Sequence, residues 1–209
     1  MLLSSLIAIA AVLMMGVMSP GPSFIYVARN SLAHSRVHGL VTSLGMGVGA
    51  ATFALMAMLG LQRVLNAVPE LYMALKIAGG AYLIWMAVKI FRGASQPLTL
   101  SLSHNDVPKG LWKTFRDGLF IQLSNPKTAI VFASIFTALL PATIPTIFYY
   151  VIPLMSFVID AGWYSLVALL LSAEKPRRVY LRIKTAVDRT SATVLSILGI
   201  KLIYSSLAK

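Results

Sequence analysis

The five residues Ser19-Pro20-Gly21-Pro22-Ser23 interrupt an apolar stretch that carries no charged side chain between Met1 and Ala28. Each proline lacks a backbone N–H and clashes with the preceding helical turn, and glycine weakens a helix further. An uninterrupted helix is therefore excluded here. In a bilayer, a broken helix is tolerated only where its freed backbone groups face protein or a water-filled cavity. Secondary transporters place their binding sites at such breaks, so we expect this one to be the functional centre of a membrane-embedded chain.

The composition favours a membrane protein. Of the 209 residues, 58 % are hydrophobic and only 11 % are charged, whereas a soluble domain carries roughly 25 % charged residues. The net charge of +12 comes from basic residues that lie between long apolar segments, which is typical of membrane topology and not of nucleic-acid binding. The absence of cysteine excludes disulfides, thiolate metal sites and cysteine nucleophiles. We also expect no metal, no cofactor and no catalytic residue.

The apolar segments predict six membrane-spanning helices, each of which needs about 20 residues. The first, residues 1–28, lacks a basic n-region and a cleavage site, so we interpret it as a retained span and not as a signal peptide. The second and third are predicted at 39–61 and 71–91. The fourth and fifth lie within 118–173, where Pro141 and Pro145 separate them, and the sixth is predicted at 190–207. The sixth is short and contains Lys201, so a five-span chain is the alternative.

Basic residues in the connectors predict the orientation. The connectors after spans one, three and five hold two, five and six Lys or Arg residues, whereas those after spans two and four hold one and none. The basic connectors should be cytoplasmic. Six spans then place both termini outside, and five would leave the C-terminus inside.

The two halves of the chain share a pattern. Ser19–Ile25 has a counterpart in Ser124–Ile130, and Gly80–Trp85 has one in Gly199–Tyr204. Three spans per half is an odd number, so the halves must insert in opposite orientations. The predicted fold is an all-α integral membrane protein of six transmembrane helices, arranged as a 3+3 inverted repeat with a broken first helix in each half. The predicted boundaries are 1–91 for the first repeat, 92–114 for a cytoplasmic loop and 115–209 for the second repeat.

Two charged residues are predicted near the membrane midplane. Ten residues separate Asp117 from Lys127, about 15 Å of helix and half the hydrocarbon thickness. Asp160 lies at a similar depth in span five. Lys127 could bind a substrate carboxylate or pair with Asp160. Asp160 could carry a proton, bind a substrate ammonium, or form a structural salt bridge with Lys127 or Lys201.

The breaks themselves can bind an anion. A half-helix that begins after Pro22 presents backbone N–H groups and a partial positive charge, which suits a carboxylate. Asn125 is predicted to cap the helix that restarts at Pro126. The candidate substrate-binding residues at the two breaks are Pro20, Gly21, Pro22, Ser23, Ser124, Asn125, Pro126 and Lys127.

Three motifs, in this order and spacing, resemble the LysE/RhtB-type amino-acid exporters. They are Pro20-Gly21-Pro22, Gly79-Gly80-Ala81-Tyr82-Leu83-Ile84 and Asn125-Pro126-Lys127, with Asp160 and Trp163-Tyr164 in span five also fitting. The resemblance implies export of amino acids such as threonine, homoserine, lysine or leucine across a bacterial inner membrane, driven by the proton motive force. Tyr82 and Trp163 are further candidate substrate contacts, Asp160 is the candidate for proton coupling, and a homodimer is a candidate assembly. Ser23 departs from the family, in which Asn or Asp often stands there.

Three other classes of function were weighed against export. A channel or facilitator for small zwitterions would want rings of like charge or carbonyl filters, which one Lys and one Asp at mid-depth do not provide. An intramembrane enzyme would want a His-Glu-x-x-His motif, paired acidic residues or a deep histidine, and His34, His38 and His104 all lie in predicted loops. A structural subunit of a larger complex would not need charges at the midplane.

Overall fold

The computed structural model describes residues 2–19, 21–67, 69–95, 110–140, 143–172 and 174–207. Pro20 and most of the predicted loop at 92–114 lie outside the described residues. The described chain is helical, in eight elements: α1 (Leu2–Met18), α2 (Pro22–Ala33), α3 (Arg36–Ala67), α4 (Pro69–Gly93), α5 (Leu111–Leu123), α6 (Pro126–Leu139), α7 (Phe148–Leu171) and α8 (Glu174–Leu207).

Both predicted breaks are present. The α1 and α2 axes differ by 58°, and the α5 and α6 axes differ by 56°. In each pair the second helix begins with a proline, Pro22 or Pro126, after one residue in an extended conformation. Proline suits the first helical position because the N–H it lacks would have no partner there. In the structure Pro22 therefore corresponds to Pro126. The sequence match had instead paired Gly21 with Pro126, one residue earlier.

Three helices of the described chain are long and apolar enough to cross a membrane, at Arg36–Gly60, Phe148–Leu171 and Arg182–Leu207. If each bent pair counts as one span, the described residues supply up to five. The protein is thus an all-helical membrane protein. The α4 helix, which corresponds to predicted span three, is not among these candidates, so six spans stay a prediction.

The basic segment at 174–189 was predicted to be a connector between two spans, but it is helical. It is the first half of α8, a continuous helix of 34 residues. Arg and Lys are good helix formers, and an apolar span that follows directly can propagate the helix backwards through them. The prediction that the last helix begins at Thr190 was therefore too late.

The buried apolar core has two parts. The larger one is built around side chains such as Ile9, Leu83 and Phe136, and the smaller one around Phe24 and Met46. Residues of both parts, including Leu13 and Val17 of α1, line a small polar cavity at the two breaks. The packing therefore places the breaks at the junction of the two cores.

Small residues bring the helices together. The α4 and α8 helices pack extensively, and a Cβ on either Gly80 or Gly199 would lie 2.7 Å from the carbonyl oxygen of the other. The neighbouring contacts show the same symmetry. A Cβ on Gly80 would also meet the side chain of Ile203, and a Cβ on Gly199 would meet that of Ile84. Helices in membranes use such small residues to approach closely.

This contact predicts that Gly199→Ala destabilises the protein. The added methyl would lie 2.7 Å from the Gly80 carbonyl and 2.8 Å from Ile84 Cγ1, and overpacking of this kind costs about 1–3 kcal/mol. Gly162→Ala in α7 is the matched control, because no described heavy atom lies within 4 Å of the added carbon. Thermal unfolding of the purified protein in detergent should show a lower midpoint for Gly199→Ala only. Equal midpoints for the two variants would contradict the close crossing of α4 and α8.

Candidate functional site

Two hydrogen bonds join the two helix breaks. The Asn125 side-chain amide donates to Ser23 Oγ over 2.9 Å, and the Lys127 ammonium donates to the Ser19 carbonyl over 2.9 Å. Asn125 also caps α6, since its Oδ1 accepts from the Lys127 backbone N–H at 3.0 Å. The cap fixes the orientation of Asn125, so that the same side chain can reach Ser23. One break is thereby held in place by the other.

A relay of hydrogen bonds continues from the breaks to α7. Ser23 Oγ donates to Gln122 Oε1 at 2.7 Å, and Gln122 Nε2 donates to Asp160 Oδ2 at 2.6 Å. Ser23, Gln122, Asn125 and Asp160 are each at most 5 % exposed. Removal of a carboxylate from water costs several kcal/mol unless hydrogen bonds compensate. The relay supplies part of that compensation and ties four separate helices to one carboxyl group.

Lys127 occupies a position where a buried cation is tolerated. Its ammonium binds the Ser19 carbonyl immediately after the end of α1, where the helix dipole is negative. The carboxylates of Asp188 and Asp160 also stabilise the Lys127 charge electrostatically. A lysine at mid-depth otherwise costs at least ~2.5 kcal/mol. An ammonium has three donors, so Lys127 keeps capacity to bind an anion while it contacts Ser19.

The cavity between these groups is small. We call it the inner cavity: its volume is about 30 Å³. Its polar lining comes from Ser23, Gln122, Asn125, Lys127, Asp160 and Tyr164. A water molecule needs about 10–15 Å³ on this measure, so the inner cavity has room for only about two or three waters. A larger ligand could enter only after the helices around the breaks move apart.

A second, larger cavity lies on the other side of the breaks. We call it the outer cavity: its volume is about 410 Å³, and it lies between the breaks, α4 and the first half of α8. Gly21, Asn125 and Lys127 line both cavities. The volume is within the range of about 300–1,000 Å³ that is typical of small-molecule sites.

The structure brings together most of the residues that the sequence singled out. Gly21, Ser23, Asn125, Lys127 and Asp160 line the inner cavity. The outer cavity is lined by Pro22, Pro126 and Tyr82, among others.

The remaining candidates lie elsewhere. Ser124 is exposed at the C-terminal end of α5, and Trp163 packs on the smaller apolar core while its neighbour Tyr164 lines the inner cavity. Pro20 lies outside the described residues. The functional roles of all these residues stay predictions.

Sequence reasoning missed Gln122 and Asp188. Gln122 is an uncharged polar residue three positions before Asn125, in the last turn of the helix that ends at the predicted break. That spacing was a usable signal. Asp188 was assigned to the basic connector, although Lys184 four residues earlier is the ordinary spacing of a helical ion pair.

The fold and site define an all-helical membrane protein with a polar interior at two broken helices. A family model described as "LysE type translocator" matches residues 14–206. The chain therefore belongs to the LysE family, and the resemblance seen in its motifs is confirmed.

Curated relatives extend the comparison over nearly the whole chain. The threonine efflux protein of Escherichia coli K12 is 30 % identical over 200 residues, which are 95 % of this chain and 97 % of that protein. The threonine efflux protein of Salmonella typhi is 30 % identical over 94 % of this chain and 96 % of its own length. The leucine efflux protein of Salmonella choleraesuis is 26 % identical over 62 % of this chain and 60 % of that protein. No solved structure matches the chain.

The relay predicts that Gln122→Leu destabilises the protein. The change leaves the Ser23 hydroxyl without its acceptor and the Asp160 carboxylate without its donor, and an unsatisfied buried polar group costs about 1–3 kcal/mol. Ser43→Ala is the control, because Ser43 is equally buried but its hydroxyl donates back to the Gly39 carbonyl of its own helix. Thermal unfolding should show a clearly larger loss for Gln122→Leu. A loss no greater than that of Ser43→Ala would mean that the relay contributes little.

Proposed function

We propose that this protein exports amino acids of the threonine, homoserine, lysine or leucine type from the bacterial cytoplasm by proton antiport. Support for the substrate class comes from the relatives named as threonine and leucine efflux proteins. Support for active transport comes from the chemistry of the breaks. The observation that carries the proposal is the buried relay from Asn125 to Asp160, which connects a titratable group to both broken helices.

Each end of an amino acid finds a matching group at the breaks. Its carboxylate can bind the Lys127 ammonium and the N-terminus of α2, where Gly21 provides no side-chain cap. Its ammonium can bind Asp160, which lines the same inner cavity as Lys127. The zwitterion then replaces water between two opposite charges.

Proton coupling follows from the relay. The Asp160 carboxylate accepts a hydrogen bond from Gln122, whose amide oxygen faces Ser23. If a proton binds Asp160 at Oδ2, that oxygen becomes a donor, and the Gln122 amide then rotates by half a turn and presents its N–H to Ser23. Ser23 Oγ would then accept from both Gln122 and Asn125, and its own proton would need a new acceptor. Protonation at α7 thereby changes the contact that holds the two breaks together.

The proposal includes the six-span inverted repeat, with boundaries at 1–91, 92–114 and 115–209. The equal bends of the two broken helices and the reciprocal contact of Gly80 with Gly199 support a two-fold relation between the halves. The α4 and α8 helices run in opposite directions, because Gly80 meets Gly199 and Gly93 meets Lys184. Opposite directions are required if these two helices are equivalent spans of inverted halves.

A channel or facilitator for zwitterions is the second candidate. The inner cavity, about 30 Å³ in volume, is too small for an amino acid to pass between the breaks and Asp160. An alternating-access transporter needs such a closed state, whereas a channel needs a continuous path. Transport against a gradient would distinguish the two, since a facilitator cannot perform it.

Asp160→Asn should separate exchange from pumping. The amide oxygen can still accept from Gln122, so the relay is kept, but the side chain no longer titrates. In proteoliposomes the variant should still exchange internal for external L-threonine, but with a raised KM, because a neutral amide binds the substrate ammonium more weakly than a carboxylate does. It should fail to accumulate threonine against a gradient when a proton gradient is imposed. Uphill transport by this variant would remove Asp160 as the proton site.

A double variant tests the structural alternative for Asp160. If Asp160 only neutralises Lys127, then Asp160→Asn with Lys127→Met leaves no unpaired buried charge and should restore pumping. The double variant should stay inactive in uphill transport if Asp160 carries the proton or if Lys127 binds the substrate carboxylate, so it is restoration that would reduce Asp160 to a partner of Lys127. The two results exclude each other.

The proposed orientation can be tested by cysteine labelling, because the natural chain has no cysteine. Ser95 follows α4 and Thr143 follows α6, and both are exposed. A membrane-impermeant maleimide added to intact spheroplasts should label Thr143→Cys, and it should label Ser95→Cys only after the membrane is permeabilised. Labelling of Ser95→Cys in intact spheroplasts would overturn both the orientation and the inverted repeat.

A further inference from the structure

The outer cavity contains an acidic group that the proposed mechanism does not use. Asp188 of α8 is 3 % exposed and lines this cavity. Its Oδ2 accepts from the Lys184 ammonium at 2.8 Å. Its Oδ1 is buried and has no hydrogen-bond partner within the described part of the chain. A buried carboxylate oxygen without a donor is costly, so the site calls for a ligand with N–H or O–H groups.

Lys184 does not account for both oxygens of Asp188. The same ammonium also donates to the carbonyls of Gly93 and Ala94 at the end of α4, at 3.4 Å and 3.2 Å. The three donors of the ammonium are thus shared between one carboxylate oxygen and two carbonyls. Lys184 is fixed by α4, and Asp188 keeps one oxygen for another cation.

The rest of the cavity can bind both ends of a zwitterion. Three cations, Lys89, Lys127 and Lys184, line it together with the single carboxylate of Asp188. The Ser19 hydroxyl, 2 % exposed, also lines the cavity and has no partner among the described residues. A ligand with one ammonium and one carboxylate would satisfy Asp188 at one end and Lys127 at the other.

We infer that the outer cavity is a separate loading site, where Asp188 Oδ1 accepts the α-ammonium of the amino acid and Lys127 binds its carboxylate. This inference rests on the proposed amino-acid export. Because Lys127 lines both cavities, it can keep the carboxylate while the ammonium moves from Asp188 to Asp160. The amino acid would thus change one partner at a time and never lose both charge contacts in the low-dielectric interior.

The position of the loading site suits export. The outer cavity extends from the breaks to Gly93 and Lys184, which are at the end of α4 and in the basic half of α8. The proposed orientation puts both on the cytoplasmic side. An exporter must bind its substrate first from that side, and the outer cavity has the volume for it, whereas the inner cavity does not.

The test uses substrate protection in the full-length protein. Ile90 lines the outer cavity, and Ser95 lies a few residues further along the chain. In inside-out vesicles, L-threonine and L-leucine are tested as ligands, and N-acetyl-threonine serves as an analogue without the ammonium. The amino acid that is exported should slow alkylation of Ile90→Cys by a maleimide and leave Ser95→Cys unaffected. N-acetyl-threonine should protect at least about tenfold more weakly, because it cannot bind Asp188. No protection of Ile90→Cys by an amino acid that the protein exports would overturn the loading site.

Asp188→Asn supplies the second test. It keeps an acceptor for Lys184 but loses the charge, so the KM for export from the cytoplasmic side should rise about tenfold or more with little change in Vmax. Asp117→Asn is the matched control, because Asp117 accepts from the Tyr26 hydroxyl and lies outside the lining of both cavities. Lys184→Met combined with Asp188→Asn should keep the raised KM, whereas restoration of the normal KM would reduce Asp188 to a partner of Lys184.

The outcomes separate the two proposals. If the unchanged protein exports no amino acid, the proposed function fails and the loading site fails with it. If it exports normally and Asp188→Asn leaves the KM unchanged, only the loading site fails. If Asp188→Asn does not fold, the protection of Ile90→Cys in an otherwise unchanged chain still decides.

Discussion

The architecture depends on the two hydrogen bonds that join the helix breaks, from Asn125 to Ser23 and from Lys127 to Ser19. A membrane helix that is broken must find partners for its freed backbone groups inside the protein. Here Lys127 of the second break donates to the freed Ser19 carbonyl of the first, and Asn125 of the second break binds the Ser23 side chain of the first. Asn125 and Lys127 both line the inner cavity, and the bond to Ser19 holds Lys127 at the carbonyl end of α1, where its charge is stabilised. Any motion that opens the inner cavity must exchange these contacts for contacts with water or ligand.

Much of this site follows from sequence because the signals are local. A proline directly after a glycine or after a capping residue is a strong local signal of a helix break, so Gly21-Pro22 and Asn125-Pro126 could be assigned as breaks without tertiary information. A lone proline is weaker, since Pro153 lies inside α7. The capping role of Asn125 was likewise predicted and confirmed, since an N-cap involves only its own first turn. Lys127 and Asp160 were recognised because charges are rare in apolar segments, and both line one cavity.

Other parts of the site could not be derived from local rules. The role of Gln122 depends on Ser23 and on Asp160, 99 and 38 positions away, and no local rule identifies such partners. Asp188 was missed because the many charged residues at 174–189 predicted a loop. In the structure this segment belongs to α8, which packs on α4. Trp163 and Tyr164 are neighbours in sequence, yet only Tyr164 lines the inner cavity. The rotation of α7 about its own axis decides which of the two side chains faces the cavity. The apolar pattern of α7 does not define that rotation.

The central claim is that a proton gradient drives an amino acid through the site built at the breaks. The direct measurement is uptake by inside-out vesicles that contain the purified protein, with each amino acid tested in turn. We expect L-threonine or a similar amino acid to accumulate above its external concentration when the vesicle interior is acidic. A protonophore should reduce accumulation to equilibration. Equal accumulation with and without the protonophore, or no transport of any amino acid, would contradict the account.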